Sequence, residues 1–330
     1  MNIKYLKSSL EMAIFFLYLI TTKHHNMNRF TLNQLSYLSG IPDKTIIFWI
    51  KRYNVFSDVT KETANEVKYS AHHLNRLINI STLFHLDKKY ALETICQWED
   101  EQLQIKNEIE LMGNLISSKL NEDVINQLVS SCLTYNEKRF NLIIDTALKK
   151  LTLSDFYNFI IYPFLLRIYD MFQGTDEKPV QFYYMKNLLK RKFYHLINME
   201  ASVVDKKCKV LLFLPENEFN EIGILFANLL LKQKGFETFY IGFNHSERTI
   251  KQAILDIQPD LLLTYLPTNE NIKSYTEAFD YLADHLESLL VLATPKNMKY
   301  IKTNKCLKAD SVEGLNQILE QIEHKKTELA

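Results

Sequence analysis

The sequence predicts a multidomain chain of α and α/β class: an N-terminal helix-turn-helix, a central four-helix bundle and a C-terminal doubly wound parallel sheet. Three observations carry this. Residues 30–53 hold two short stretches of helical apolar spacing, separated by a turn containing Gly40. Residues 123–198 repeat helical spacing in several successive stretches. Residues 206–325 alternate short apolar runs with amphipathic segments, the pattern of strands and crossover helices. At 330 residues the chain is long enough for two or three domains with their own cores.

Composition narrows the function classes. Lys+Arg and Asp+Glu both number 39, so total charge makes no case for nucleic acid, although a local basic patch stays compatible with it. Seven glycines and seven prolines favour long helices and short loops. The cysteines Cys96, Cys132, Cys208 and Cys306 form no C-x-x-C pair, which speaks against a zinc site and fits a reducing, cytoplasmic setting. Residues 12–20, after Lys4 and Lys7, imitate the apolar core of a signal peptide, but the run is too short to span a bilayer. Thr21-Thr22-Lys23-His24-His25 follows in place of a small-x-small cleavage site, so no membrane partner is expected. Residues 1–27 are therefore set apart as an extension, read either as preceding a true start at Met27 or as a short helix packed on the body.

In the first domain Thr31 caps a helix bearing Leu32, Leu35 and Leu38, and Gly40 closes it in a left-handed turn. Pro42-Asp43 opens a second helix with Ile46, Trp49 and Ile50 inward. Lys44, Lys51, Arg52, Lys61 and Lys68 are its cations, which as a bland alternative form a solvated face. His72-His73 reads as surface and cap, because adjacent helix residues do not face each other to hold a metal. A long helix is expected from Tyr90 to Leu120, with Ile95, Trp98, Leu103, Ile109 and Met112 near one side.

The run Phe30-Thr31-x-x-x-Leu35-x-x-x-Ser39-Gly40-Ile41-Pro42-x-x-Thr45-Ile46-x-x-Trp49-x-x-Arg52-Tyr53 resembles the winged-helix domain of MerR-family transcription regulators. Lys68-Tyr69-Ser70 with Leu74, Leu77 and Ile80 resembles that family's wing and third helix. The likeness spans about residues 28–98 and implies double-stranded DNA as partner, with Thr31, Lys44, Thr45, Lys51, Arg52, Tyr53, Lys68 and Tyr69 as contacts. It also implies a linking or dimerising helix over 99–120 and hence a homo-oligomer. Three places depart from it: Ile47 stands where the family carries an arginine, Val67-Lys68 replaces paired wing basics, and Ser57-Asp58-Val59-Thr60 replaces the proline-basic segment before them.

Residues 121–200 form the bundle, with helices expected over 124–133, 136–148, 153–172 and 180–197. Ile161-Tyr162-Pro163-Phe164-Leu165 and the run from Pro179 to Lys192 resemble the helical cap of light- and cobalamin-responsive MerR-type repressors. The resemblance places Phe172, Phe182 and Tyr183 where that family has a tryptophan, an acid and an upper histidine, and they are expected to fill or wall the corrin's space.

In the last domain, 206–325, strands are expected over 208–214, 237–242, 260–266 and 288–293, with helices over 220–234, 247–257, 271–286 and 311–324. A ligand of such a sheet sits beyond the strands' C-terminal ends, which places 216–223, 264–267 and 293–295 around any pocket. Glu218-Phe219-Asn220-Glu221-Ile222-Gly223 resembles the D-x-H-x-x-G loop of cobalamin-binding domains, with Glu218 for the aspartate and Asn220 for the cobalt-ligating histidine. An amide nitrogen is a poor cobalt ligand, since its lone pair is delocalised. Thr264-Tyr265-Leu266 resembles the family's S-x-L segment, and Ala293-Thr294 replaces its glycine pair. The degenerate pocket thus comprises Phe172, Phe182, Tyr183, Glu218, Asn220, Gly223, Thr264 and Ala293.

The expectation is a DNA-binding regulator whose sensor has lost cobalamin, with no other cofactor implied. One alternative is a cobalamin or light sensor with altered ligation. Another is an interaction module that pairs with a full-length paralogue, motivated by Ile47 and Val67. An enzyme is disfavoured: there is no nucleophile–base pair, metal motif or phosphate loop, and Glu216 with Glu218 reads as two solvated carboxylates.

Overall fold

The computed structural model describes residues 30–59, 68–86, 90–114, 120–171, 180–200, 208–266, 289–294 and 306–329. They fall into two compact units: one takes the segments up to Asn136 together with Arg167–Val180, the other takes Glu137–Leu166 and the residues from Gln181 onward.

The first unit begins with α1 (Leu32–Ser39) and α2 (Asp43–Tyr53). Thr31 forms a reciprocal capping box: its hydroxyl accepts from Gln34 N at 3.2 Å, and Gln34 Oε1 accepts from Thr31 N at 2.9 Å. Gly40 ends α1 at φ 70°, a conformation that spares it any Cβ clash. Leu35, Leu38, Ile46, Trp49 and Ile50 are buried, as are Leu74, Leu77 and Ile80 of α3 (Ala71–Leu86). An antiparallel bridge pairs Phe30 with Tyr69. Lys61 and Val67 lie outside the described residues.

Two expectations are corrected here. The long helix from Tyr90 is broken into α4 (Leu92–Gln97) and α5 (Asp100–Asn114), with Trp98 extended at φ −71°, ψ 144°. The cause is Arg76, which lies half-buried at the break. Its guanidinium donates to Val55 O at 2.8 Å, Cys96 O at 2.8 Å and Trp98 O at 3.0 Å, and pairs with Asp100. Carbonyls that would carry the helix onward are claimed by a side chain. The second correction is His73, which is buried rather than at the surface. Ser70 N–H donates to its Nδ1 at 3.0 Å, so its Nε2 hydrogen points at Asp58 Oδ1, 2.9 Å away. The rings of Phe56 and Tyr69 pack on it.

Helix α6 (Leu120–Leu133) packs on α3, with Gln127 Nε2 donating to Thr82 Oγ1 at 2.9 Å and Ser130 bonded to Asn75. Arg167 joins the same unit through Asn126 Oδ1 at 2.6 Å and Glu122 Oε2 at 2.7 Å, and Tyr37 donates to Asp170 at 2.6 Å.

The second unit holds α7 (Glu137–Leu148), α8 (Leu153–Phe156), a π-helical turn (Tyr157–Ile161), the start of α9 (Tyr162–Met171) and nearly all of α10 (Val180–Met199). A single helix over 153–172 was the expectation, and the π-turn corrects it. Pro163 has no N–H to give the carbonyl four residues back, and its ring clashes there, so the ladder widens and Tyr162 N–H bonds Tyr157 O instead. Arg191 and Lys192 of α10 pair with Glu137 and Asp145 of α7.

The sheet has five parallel strands in the order β2-β1-β3-β4-β5: β1 Lys209–Phe213, β2 Glu237–Tyr240, β3 Leu261–Tyr265, β4 Leu289–Ala293 and β5 Cys306–Ala309. The order reverses between β1 and β3, which makes the ends of those strands the switch point. Four strands and the helices α11 (Glu221–Gln233), α12 (Glu247–Ile257) and α13 (Val312–Leu329) match the expectation, while β5 is additional. The helix expected over 271–286 lies outside the described residues. Helix α11 is largely apolar and buried from Glu221 to Leu231: Tyr157 stacks on its Phe226 at 3.9 Å, and Phe193 meets the same ring edge-on. On the other face Leu211, Phe213, Leu262, Leu290 and Leu292 form a core with Ile250 and Ile254 of α12.

Candidate functional site

On the outer side of α2, Lys44, Lys51 and Arg52 are exposed, while Thr45 and Tyr53 are half-buried. Between them Ile47 is half-buried and Phe48 is 53% exposed, edge-on to Tyr53 at 5.9 Å. The helix is therefore cationic toward its ends and apolar at its centre. Lys68 is exposed near the Phe30–Tyr69 bridge, and Thr31 spends its hydroxyl on the cap. Tyr69 is the correction in this set. It is fully buried, so its ring supports the domain and offers no surface to a phosphate.

The second site lies at the sheet's switch point. Glu218 is buried, and its Oε1 accepts from the backbone N–H groups of Phe219 at 3.0 Å and Asn220 at 2.8 Å. Asn220 is the N-cap of α11, and its side chain makes no capping bond. Gly223 lies under the Tyr265 ring: a Cβ at Gly223 would meet that ring at 2.5 Å. Tyr265 thus occupies the crevice between β3 and α11. Thr264 is fully buried, and its hydroxyl has no partner among the described residues. Phe182 is half-buried with Lys186 Nζ 5.6 Å above its ring. Tyr183 is 56% exposed, which corrects the expectation that it fills a corrin-shaped space. Phe172 lies outside the described residues.

Residues that the sequence did not single out dominate the space between α10 and the sheet. Glu221, only 3% exposed, accepts from Lys190 Nζ at 2.7 Å, Tyr240 OH at 2.9 Å and Tyr194 OH at 3.1 Å. Burial, then the Glu221 charge, raises Tyr240 and pushes Tyr194 up to about 12, so both phenols remain donors. Burial, then the neighbouring Lys190, lowers the Lys186 ammonium. In the sequence Glu221 sits inside the Glu218–Gly223 motif and Lys190 inside the cap-like run from Pro179 to Lys192. No local signal marks them as partners.

Beside Tyr265, within the same crevice, opens a cavity of about 410 Å³, walled by Tyr157, Tyr162, Gly223, Tyr265, Ala293 and the first turn of α13. The Tyr157 and Tyr265 hydroxyls are hydrogen-bonded to each other, and burial pushes Tyr265 up to about 12. Among the described residues no group of three or more His, Cys, Asp or Glu is placed to hold a metal ion, and no helix is long and apolar enough to cross a membrane.

A helix pair, its first member capped by Thr31, that docks on a third helix beside a strand bridge is a helix-turn-helix domain. Residues 30–102 match the MerR HTH family regulatory protein family, so the N-terminal part of the chain carries a MerR-type domain. Three solved structures are similar over larger spans. A cobalamin-binding protein from Desulfitobacterium hafniense DCB-2 shares 15% identity, covering 60% of this chain and 98% of its own, at a TM-score of 0.32. The Methanosarcina barkeri monomethylamine corrinoid protein shares 14%, covering 62% and 96%, at 0.46. The methanol:cobalamin methyltransferase complex MtaBC of Methanosarcina barkeri shares 10%, covering 66% and 84%, at 0.34. No curated protein matches the chain in sequence.

Proposed function

We propose that the chain is a DNA-binding transcription regulator of MerR type whose cobalamin-sensor region no longer takes cobalamin. The first half of this reading rests on the MerR domain at 30–102 and the exposed cations of α2. Helix α2 would enter the major groove with Lys44 and Thr45 leading, while Lys51, Arg52 and Lys68 meet phosphates. A homo-oligomer on a two-fold operator follows from that mode of binding. Few cations implies a shallow salt dependence.

The single observation that carries the second half is the Tyr265 ring lying against Gly223, in the crevice where the cofactor's tail would enter. The lower ligand position supplies only an amide, Asn220, and its neighbour Glu218 is engaged by its own loop. The Lys190–Glu221 bond joins α10 to α11 beside that loop. The residues present do not fit the cofactor. A sensor of this kind is read out by another molecule, by a partner or by none.

Fluorescence anisotropy against DNA from the gene's own upstream region, at low and moderate salt beside scrambled DNA, tests the first half. Selective binding is the expected outcome, and indifference to sequence at low salt would sink it. Incubation with adenosylcobalamin in the dark, followed by desalting, tests the second. The protein should emerge without the corrin's visible absorption.

A further inference from the structure

The cavity beside Tyr265 has a chemistry of its own. Tyr157 and Tyr162 line it with rings 6.4 Å apart and 30° inclined, one face of Tyr157 being stacked on Phe226, and Tyr265 is the third tyrosine of the wall. Small residues, Ala293 among them, leave the space open. Asp310 and Glu313 also line it, whereas no lysine or arginine does among the described residues. These carboxylates are not needed to cap α13, because Ser311 Oγ already accepts from Gly314 N–H at 3.0 Å. Glu313 accepts one bond, from Asn158 Nδ2 at 2.7 Å, which leaves most of a carboxylate's acceptor capacity available.

Aromatic rings attract a cation through the ring quadrupole, and two carboxylates on the same wall favour it further while repelling anions. At about 410 Å³ the cavity stands at the small end of ligand pockets. We infer that this cavity binds a small organic cation with an apolar or aromatic body, through the three tyrosines and the Asp310–Glu313 edge. That such a cation acts as a signal rests on the regulator reading above; the binding itself does not.

The test is titration calorimetry of the full chain with three matched probes: benzyltrimethylammonium, neutral 2-phenylethanol and anionic phenylacetate. The cation is expected to bind about tenfold or more tightly than phenylacetate, the combined worth of a cation–π contact and an ion pair. Glu313→Gln, at an exposed position, should weaken the cation about fivefold and leave phenylethanol unchanged. Ala293→Phe should fill the cavity and remove both. Circular dichroism melts identify any variant that fails to fold, and Tyr162→Leu then serves as the second test, with cation affinity falling selectively. Equal affinity for all three probes would overturn the inference, as would no binding of any probe or cation affinity unmoved by Glu313→Gln. All of this is read without DNA. A chain that binds the cation but no duplex therefore fails only the regulator reading.

Discussion

Glu221 shows what one residue can do when tertiary structure surrounds it. A carboxylate this deeply buried is stable only while its partners remain. Lys190→Met should therefore lower stability by about 2 kcal/mol, the cost of losing one hydrogen bond to a charged group, read as a shift in the urea midpoint. A midpoint unchanged from wild type would mean the lysine is a surface charge. Asp58 offers a pH-resolved case. The hydrogen bond from His73 holds its carboxyl below the usual 3.8. Its contribution is then fully present above pH 3.8 and lost as pH falls through the lower folded value. Asp58→Asn should lower the melting temperature at pH 6 and make no difference once acid has protonated Asp58 in the wild type. The effect should stay under about 1 kcal/mol, because the carboxylate is largely exposed. Thr31, Gly40, Ile46 and Trp49 were legible because capping, turn conformation and helical spacing are local. The Tyr265–Gly223 contact and the Glu221 bonds were not, since each joins residues that only the fold brings together.

Among the elements, the two broken helices teach different lessons. The split between α4 and α5 is imposed from outside by Arg76, whose side chain is only 14% exposed. Arg76→Leu should cost about 3 kcal/mol, since several carbonyls and Asp100 lose their donor at once. Arg76→Lys should recover little of it, as a single ammonium cannot reach partners arranged around a planar fork. Denaturant unfolding of both variants checks this, and full recovery by lysine would refute the account. The π-turn, by contrast, had its cause in plain sight at Pro163, yet the apolar spacing on either side hid it. Strand β5 was missed because it is short and lies at the sheet's edge, with Lys308 exposed in its middle. The three inner strands β1, β3 and β4 announced themselves through apolar runs of the length a two-faced parallel sheet demands.

At the scale of the molecule, a MerR-type domain precedes a switch-point crevice in which the Tyr265 ring covers Gly223. In the proposed reading Ile47 stands where the resembled family carries an arginine, and restoring the cation tests α2 as the DNA-contacting helix. Ile47→Arg is expected to tighten binding to duplex DNA and to steepen the plot of log affinity against log salt by about 0.9, one regained phosphate contact. An unaltered slope would place α2 away from the backbone. The domain order was legible from alternating patterns along the chain. The sharing of residues between compact units was not, because Arg167 finds Asn126 and Glu122 only in three dimensions.

That sharing has a consequence for how the protein is made. The unit that contains the MerR domain draws on Arg167–Val180, so its contacts through Arg167 and Asp170 come late in the order of translation. Chains are built from the N-terminus at about 5–20 residues per second. The helix pair is therefore out of the ribosome many residues before its last supports, and residues 137–166 of the other unit emerge in between. A message cut short near residue 136 yields a MerR domain without those supports, not a smaller working regulator.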